Sequence, residues 1–206
     1  MSELAQKGQE VMQVSAVDED NSHRGDSDIN YTLAGPGSSV FHMSQRTGHI
    51  SLTSPLDYEA RPVYSLVATA SDRGTPPRNT SVSVTITVDD MNDNPPVFVL
   101  EHYSVSLPED YPSSQEFLRV NATDADAGRH GELRYSITSG NSDGLFINVE
   151  GGLVLMEGMH LDYEAATHHR LILRAMDCQR CDDATPRLSA FVTVDIQVRP
   201  SFCILC

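Results

Sequence analysis

The sequence predicts an all-β chain: two tandem seven-strand Greek-key β-sandwiches of immunoglobulin-like architecture. Three observations carry that expectation: an internal repeat, short segments with period-two hydrophobicity, and no long capped helical period. Leu56-Asp57-Tyr58-Glu59 recurs 105 residues later as Leu161-Asp162-Tyr163-Glu164, and Ala70-Ser71-Asp72 recurs at the same spacing as Ala175-Met176-Asp177. Asp18-Glu19-Asp20 recurs 106 residues on as Asp124-Ala125-Asp126, and Glu3 recurs as Glu109. Acidic signatures that keep register this closely imply two homologous units. Their expected boundaries are 1–94 and 95–198, with a linker at 89–96 and a tail at 199–206 outside the repeat.

The elements of the first unit follow in order. Strands are expected over 11–17, 29–33, 49–52 and 64–70. The last strand holds Val82, Val84, Ile86 and Val88, which alternate with Ser83, Thr85 and Thr87, so the four apolar residues read as inward-facing. In the second unit the counterparts are 116–123, 133–137, 153–155, 170–176 and the run through Val192, Val194, Ile196 and Val198. Gly35-Pro36-Gly37 and Asp72-Arg73-Gly74-Thr75-Pro76-Pro77 supply turn chemistry between strands. The second unit has a candidate strand over 98–107 before Glu109, whereas two residues precede Glu3, so the first strand of unit one reads as clipped. The N-terminus lacks the apolar stretch of a signal peptide, so if the parent is secreted the chain is expected to be a fragment, an excised piece or an unusual product.

Asp90-Met91-Asn92-Asp93-Asn94-Pro95-Pro96 stands between the units. Two carboxylates and two amides in five residues concentrate hard oxygen donors of the kind Ca²⁺ takes, about 6–8 at a time. The two prolines stiffen the joint and remove two backbone donors. The formal charge of −15 fits a cation-binding chain and argues against nucleic acid, which needs a basic face. No run of 18 apolar residues exists, so no direct membrane insertion is expected. No G-x-S-x-G, H-E-x-x-H or phosphate loop occurs, and the reading is a binding module, not an enzyme.

Together the Glu3/Glu109 position, the D-x-D pairs, the L-D-x-E pairs, the A-x-D pairs and the D-x-N-D-N linker resemble tandem cadherin repeats over residues 1–198. The Gly74-Thr75-Pro76-Pro77 turn and the Pro95-Pro96 linker look most like Fat, Dachsous, Flamingo or protocadherin repeats. The chain has no Trp, so strand exchange through an N-terminal Trp is not open to it. The resemblance implies a cell-adhesion module in the extracellular portion of a plasma-membrane protein. Its partners would be other cadherin ectodomains, in cis or trans, and about three Ca²⁺ would sit at the junction. It assigns Glu3, Asp57, Glu59, Asp90 and Asp93 to the site, with the side chain of Asn92 and the carbonyls of Met91 and Asn94. Asp124, Asp126 and Asp177 would close it, with the carbonyl of His130 where the family often has Asn. Like charges about 4 Å apart repel by about 1 kcal/mol in water and about 4 at an effective dielectric of 20, so such acids gather only around cations. The same resemblance leaves Glu109, Asp162 and Glu164 as an orphan half-site with weak or no Ca²⁺ binding, because the linker acids have no counterpart after Val198. Asp18, Asp20 and Asp72 form the opposite half-site.

Four further features carry readings of their own. Cys178-Gln179-Arg180-Cys181 and Cys203-Ile204-Leu205-Cys206 admit a local Cys178–Cys181 disulfide, a zinc site, a redox pair or a loose prenylation box. Arg24-Gly25-Asp26 offers an alternative function as an integrin or matrix ligand. Asn30, Asn79 and Asn121 begin glycosylation sequons, with Asn79 expected in a loop. His168-His169 reads as an exposed pair beside a strand.

Overall fold

A computed structural model describes residues 1–17, 29–182 and 185–201. It separates into two units, Met1–Met91 and Asn92–Cys206. The first unit holds β1 (Glu10–Gln13), β2 (Asn30–Ala34), β3 (Phe41–Met43), β4 (His49–Leu52), β5 (Val63–Ser71) and β6 (Asn79–Thr87), with a 3-10 turn at Ser38–Val40. They form two antiparallel three-stranded sheets, β1-β4-β3 and β2-β5-β6. Between them lies a core of Tyr31, Phe41, Ile50, Leu52, Leu56, Tyr64, Leu66, Val84, Ile86 and Val88. Phe41 and Tyr64 meet edge to face at 5.1 Å.

The second unit holds β7 (Val97–Phe98), β8 (His102–Pro108), β9 (Glu116–Arg119), β10 (Ala122–Thr123), β11 (Arg134–Ser139), β12 (Phe146–Val149), β13 (Gly152–Leu155), β14 (His168–Met176) and β15 (Ser189–Arg199). Its sheets are β11-β14-β15-β8, β12-β13-β9 and the two-stranded β10-β7. Leu153, Leu155, Leu171, Leu173, Val194 and Ile196 are fully buried in its core.

Several expectations are corrected by the structure. The strand expected over 11–17 ends at Gln13. Beyond it, Val14 donates its N–H to Gly48 O at 3.0 Å and Ala16 to Tyr31 Oη at 2.9 Å, so the chain leaves the β4 edge. Gly48 has φ +69° and a Cβ there would collide with Val14 O, so this exit needs glycine. The expected 116–123 strand breaks for the same reason: Val120 donates to Gly151 O, and the chain switches sheets into β10. β3 escaped the sequence reading because it is short: Phe41 and Met43 are buried around an exposed His42, a period-two signal only three residues long. β12 escaped it because only Phe146 of its four residues is buried. Asn79 opens β6 and lies in no loop, and His168 and His169 lie inside β14.

Val82 is the most informative correction. It was expected to face inward with Val84, Ile86 and Val88, yet it is 50% exposed, whereas its counterpart Val192 is 3% exposed. In unit two, β8 runs parallel to β15 from Thr193↔His102 to Arg199↔Pro108 and covers that flank. In unit one the equivalent ladder is the single bridge Ser2↔Asp89, and Val82 instead lines a 460 Å³ trough beside Met12–Ala16 residues and Ala68. Val192→Ala is therefore expected to destabilise unit two by about 1.5–2 kcal/mol, at roughly 0.8 per buried methylene. Val82→Ala should cost under about 0.5 kcal/mol. Chemical denaturation of both variants measures the contrast.

His169 is half-buried, with its ring 5.3 Å from Phe146. Burial holds its pKa below the usual histidine value, and neighbouring His168 adds to this against the pull of Asp143. A base whose folded pKa is depressed contributes stability above its unfolded pKa and loses it as pH falls through that value, about 6.5. Unit two should lose stability on acidification below about pH 6.5, and His169→Phe should remove that part of the loss in a pH series of thermal unfolding.

Candidate metal centre

The acidic residues are positioned by backbone bonds that repeat between the units. In unit one, Glu3 is 4% exposed and accepts N–H bonds from Tyr58 at 2.7 Å and Met91 at 2.7 Å. Asp57 accepts from Ala60 at 2.7 Å, and Leu56 anchors the loop in the core. In unit two, Glu109 accepts from Tyr163 and Ser201, Asp162 accepts from Ala165, and Leu161 is buried. The Glu therefore clamps the L-D-x-E loop to the strand exit in each unit, even though the second exit lacks the linker acids. Asp57 and Glu59 are exposed, Asp90 is half-buried, and Met91 is held by its bond to Glu3.

Unit two gathers three acids of its own. Asp124, Asp126 and Asp177 each bring a carboxylate oxygen within 4.8 Å of the other two. Asp126 is 6% exposed and accepts from the Asn94 backbone N–H at 3.3 Å and from Asn94 Nδ2 at 2.8 Å. Asn94 Nδ2 also donates to Asp93 Oδ1 at 2.8 Å, and the Asp126 N–H donates to Asp124 Oδ1 at 2.9 Å. Asp177 is fully buried where β14 ends, and its Oδ1 accepts the Leu188 N–H at 2.8 Å. Asn92 is 8% exposed and its Nδ2 donates to Pro186 O at 2.7 Å. His130 is half-buried, and its carbonyl accepts the Cys178 N–H at 3.0 Å.

Three oxygens in this arrangement have no hydrogen-bond partner although they are buried: Asn92 Oδ1, Asp124 Oδ2 and Asp177 Oδ2. A buried unsatisfied acceptor costs about 1–3 kcal/mol, and more when charged. All three belong to residues that the resemblance to cadherin repeats assigns to Ca²⁺. The donor set is oxygen alone, which suits a hard cation. Burial raises the Asp124 pKa above the usual carboxylate value, and the charges of Asp126 and Asp177 raise it further against the Asp126 N–H bond. Asp124 therefore takes up a proton more readily than an ordinary carboxylate.

Other candidates divide. Glu109, Asp162 and Glu164 also converge within 4.8 Å. Asp72 accepts from Gly74 and Arg78, and those backbone N–H bonds lower its pKa. Asp18 and Asp20, the Arg24-Gly25-Asp26 loop, Cys203 and Cys206 lie outside the described residues. Cys178 and Cys181 form a disulfide, with Cα atoms 5.2 Å apart. The sequence left that pairing open because spacing alone does not separate a disulfide from a metal pair. No helix among the described residues is long and apolar enough to cross a membrane.

Comparison with known proteins agrees with the repeat arrangement. The family model for the cadherin domain matches residues 1–89 and 103–199. The chain is 37% identical over 192 residues to Protocadherin-16 of Rattus norvegicus, covering 86% of this chain and 6% of the relative. It is 36% identical over 193 residues to Protocadherin Fat 4 of Mus musculus, covering 93% of this chain and 4% of that one. Among solved structures, mouse cadherin-23 EC22-24 superposes with a TM-score of 0.84 at 31% identity, over 97% of this chain and 62% of that one. Human protocadherin-24 EC1-2 superposes with a TM-score of 0.78 at 27% identity, over 98% and 93%. The chain thus spans only a small fraction of the length of its curated relatives, and the expected likeness to protocadherin and Fat repeats is met. With two family matches set over two sandwiches whose acidic loops repeat bond for bond, the chain belongs to the cadherin domain family.

Proposed function

We propose that the chain is a Ca²⁺-dependent adhesion module of a cell-surface protein. Glu3, Asp57, Glu59 and Asp90 of the first unit, with Asn92, Asp93, Asp124, Asp126 and Asp177 of the second, hold about three Ca²⁺. The carbonyls of Met91, Asn94 and His130 complete the ligand set. The observation that carries this reading is the set of partnerless buried oxygens on Asn92, Asp124 and Asp177. Cation binding fixes the two sandwiches as one rod, which presents its faces to other cadherin ectodomains. The chain performs no chemistry in this reading.

Thermal unfolding with Ca²⁺ against a chelator tests it. At a free Ca²⁺ tenfold above Kd each site adds about 1.4 kcal/mol, so the transition rises with Ca²⁺ and saturates. Sedimentation velocity under both conditions reads self-association, expected with Ca²⁺ and reduced without it if the partner is a second copy. An unfolding transition indifferent to Ca²⁺ contradicts the reading. Because burial raises the Asp124 pKa and protons compete there, the Ca²⁺-dependent rise should shrink as pH falls towards the carboxylate range.

A further inference from the structure

We propose that the Cys178–Cys181 disulfide is a thiol–disulfide exchange site whose redox state sets the Ca²⁺ affinity of the Asp124, Asp126 and Asp177 cluster. The inference rests on the reading that those carboxylates hold Ca²⁺. Asp177 and Cys178 are consecutive, so the fully buried ligand is bonded through one peptide to a fully buried half of the bridge. The excursion between Asp177 and Leu188 is closed by two bonds, Asp177 N–H to Leu188 O and Leu188 N–H to Asp177 Oδ1. The bridge crosslinks the start of that excursion.

The same bridge reaches the other side of the cluster. Cys178 N–H donates to His130 O at 3.0 Å and Gln179 N–H to Glu132 O at 3.4 Å, and Cys181 Sγ lies 3.9 Å from Arg129 O. The loop it thereby grips follows directly from Asp126. Gly131 packs against Asp126 O so closely that a Cβ would collide with it. Movement of the 129–132 loop is therefore felt at Asp126. Cys178 also sits at φ +53°, a left-handed backbone value that few residues other than glycine adopt. The bridge and the bond to His130 hold it there. Opening the bridge removes the covalent half of that restraint, at the residue next to a Ca²⁺ ligand.

The exchange is balanced by an external dithiol. Its thiolate attacks the sulfur of Cys181, the less buried residue of the pair at 9% exposure against 0% for Cys178. The S–S bond breaks, Cys181 enters a mixed disulfide, and Cys178 leaves as a thiolate that takes a proton from water. The second thiol of the reductant then attacks its own sulfur in the mixed disulfide and releases Cys181. Two electrons pass to the protein, and the dithiol leaves as a disulfide. Reciprocity requires that, if the bridge favours Ca²⁺, Ca²⁺ favours the bridge by the same factor.

The test uses the full chain with Cys203→Ser and Cys206→Ser throughout, leaving one cysteine pair. Ca²⁺ is titrated calorimetrically into the oxidised chain, the chain reduced with dithiothreitol, and Cys178→Ser/Cys181→Ser. Affinity is expected to fall about fivefold or more in the latter two. Thiols released at fixed dithiothreitol should be fewer in Ca²⁺ than in chelator by a matching factor, a readout independent of the binding heat. Circular dichroism in chelator shows whether each form is folded. Equal affinity in oxidised and reduced chains, with Ca²⁺ binding intact, overturns this proposal alone. Absence of Ca²⁺ binding in every form overturns it together with the reading it rests on.

Discussion

Asp177→Asn is expected to lower Ca²⁺ affinity by on the order of tenfold or more, equivalent to about 1.4 kcal/mol per tenfold. The substitution keeps the oxygen that accepts the Leu188 N–H at 2.8 Å and removes the negative charge from a fully buried position. It therefore separates the two roles of the side chain. The structural role, closing the excursion that leaves β14, survives. The electrostatic role, with Asp124 and Asp126 within 4.8 Å, is lost. In chelator the variant should be as stable as the wild type or more so, because one of three mutually repelling carboxylates is gone. Calorimetric titration and thermal unfolding of the same preparation distinguish these effects. Lower stability in chelator with unchanged Ca²⁺ affinity would make Asp177 a purely structural residue.

Leu171→Ala should produce the largest stability loss, about 2–5 kcal/mol. Leu171 has no exposed surface and lies on β14, which is paired on both sides by β11 and β15. The spread depends on how far the neighbours close the cavity. Leu66→Ala, at 1% exposure in the other core, should cost a similar amount. The two cores contain different residues and no shared member. Each variant should therefore lower the unfolding transition of its own unit in chelator, where Ca²⁺ does not couple them. Differential scanning calorimetry resolves which transition moves. A single transition lowered equally by both variants would contradict two independent cores.

Much of the fold was legible because strands with one buried face write a period of two into the chain. Val192, Val194, Ile196 and Val198 alternate over seven residues, and all four are buried. The same pattern at Val82 misled, because burial of a strand end depends on whether another strand covers it, and no local pattern records that. β3 was missed for want of length, and β12 because only Phe146 of its four residues is buried. The ends of β1 and β9 were misplaced because the chain there exchanges ladder partners for Gly48, Gly151 and the Tyr31 hydroxyl, contacts that arise only in the folded unit.

The placement of the acidic loops was legible through repetition. The pairing of Glu3 with the Asp57 loop, and of Glu109 with the Asp162 loop, places sequence-predicted acids in equivalent bonds. What the sequence did not reveal is the second layer. Cys178 and the 129–132 loop support Asp177 and Asp126 through backbone bonds, and a backbone bond carries no residue signature. Likewise the bond from Asn94 Nδ2 to Asp126 gives the linker amide a positioning role.

The most direct test of the central claim is calorimetric Ca²⁺ titration of the wild-type chain and Asp93→Ala, with small-angle X-ray scattering on the same samples. The expected result for the wild type is saturable binding of about three ions at about 10⁻⁴–10⁻³ M. Scattering should shift saturably towards that of a stiffer chain as the ions bind, and Asp93→Ala should weaken both signals. No saturable heat and no change in scattering at millimolar Ca²⁺ would contradict the account.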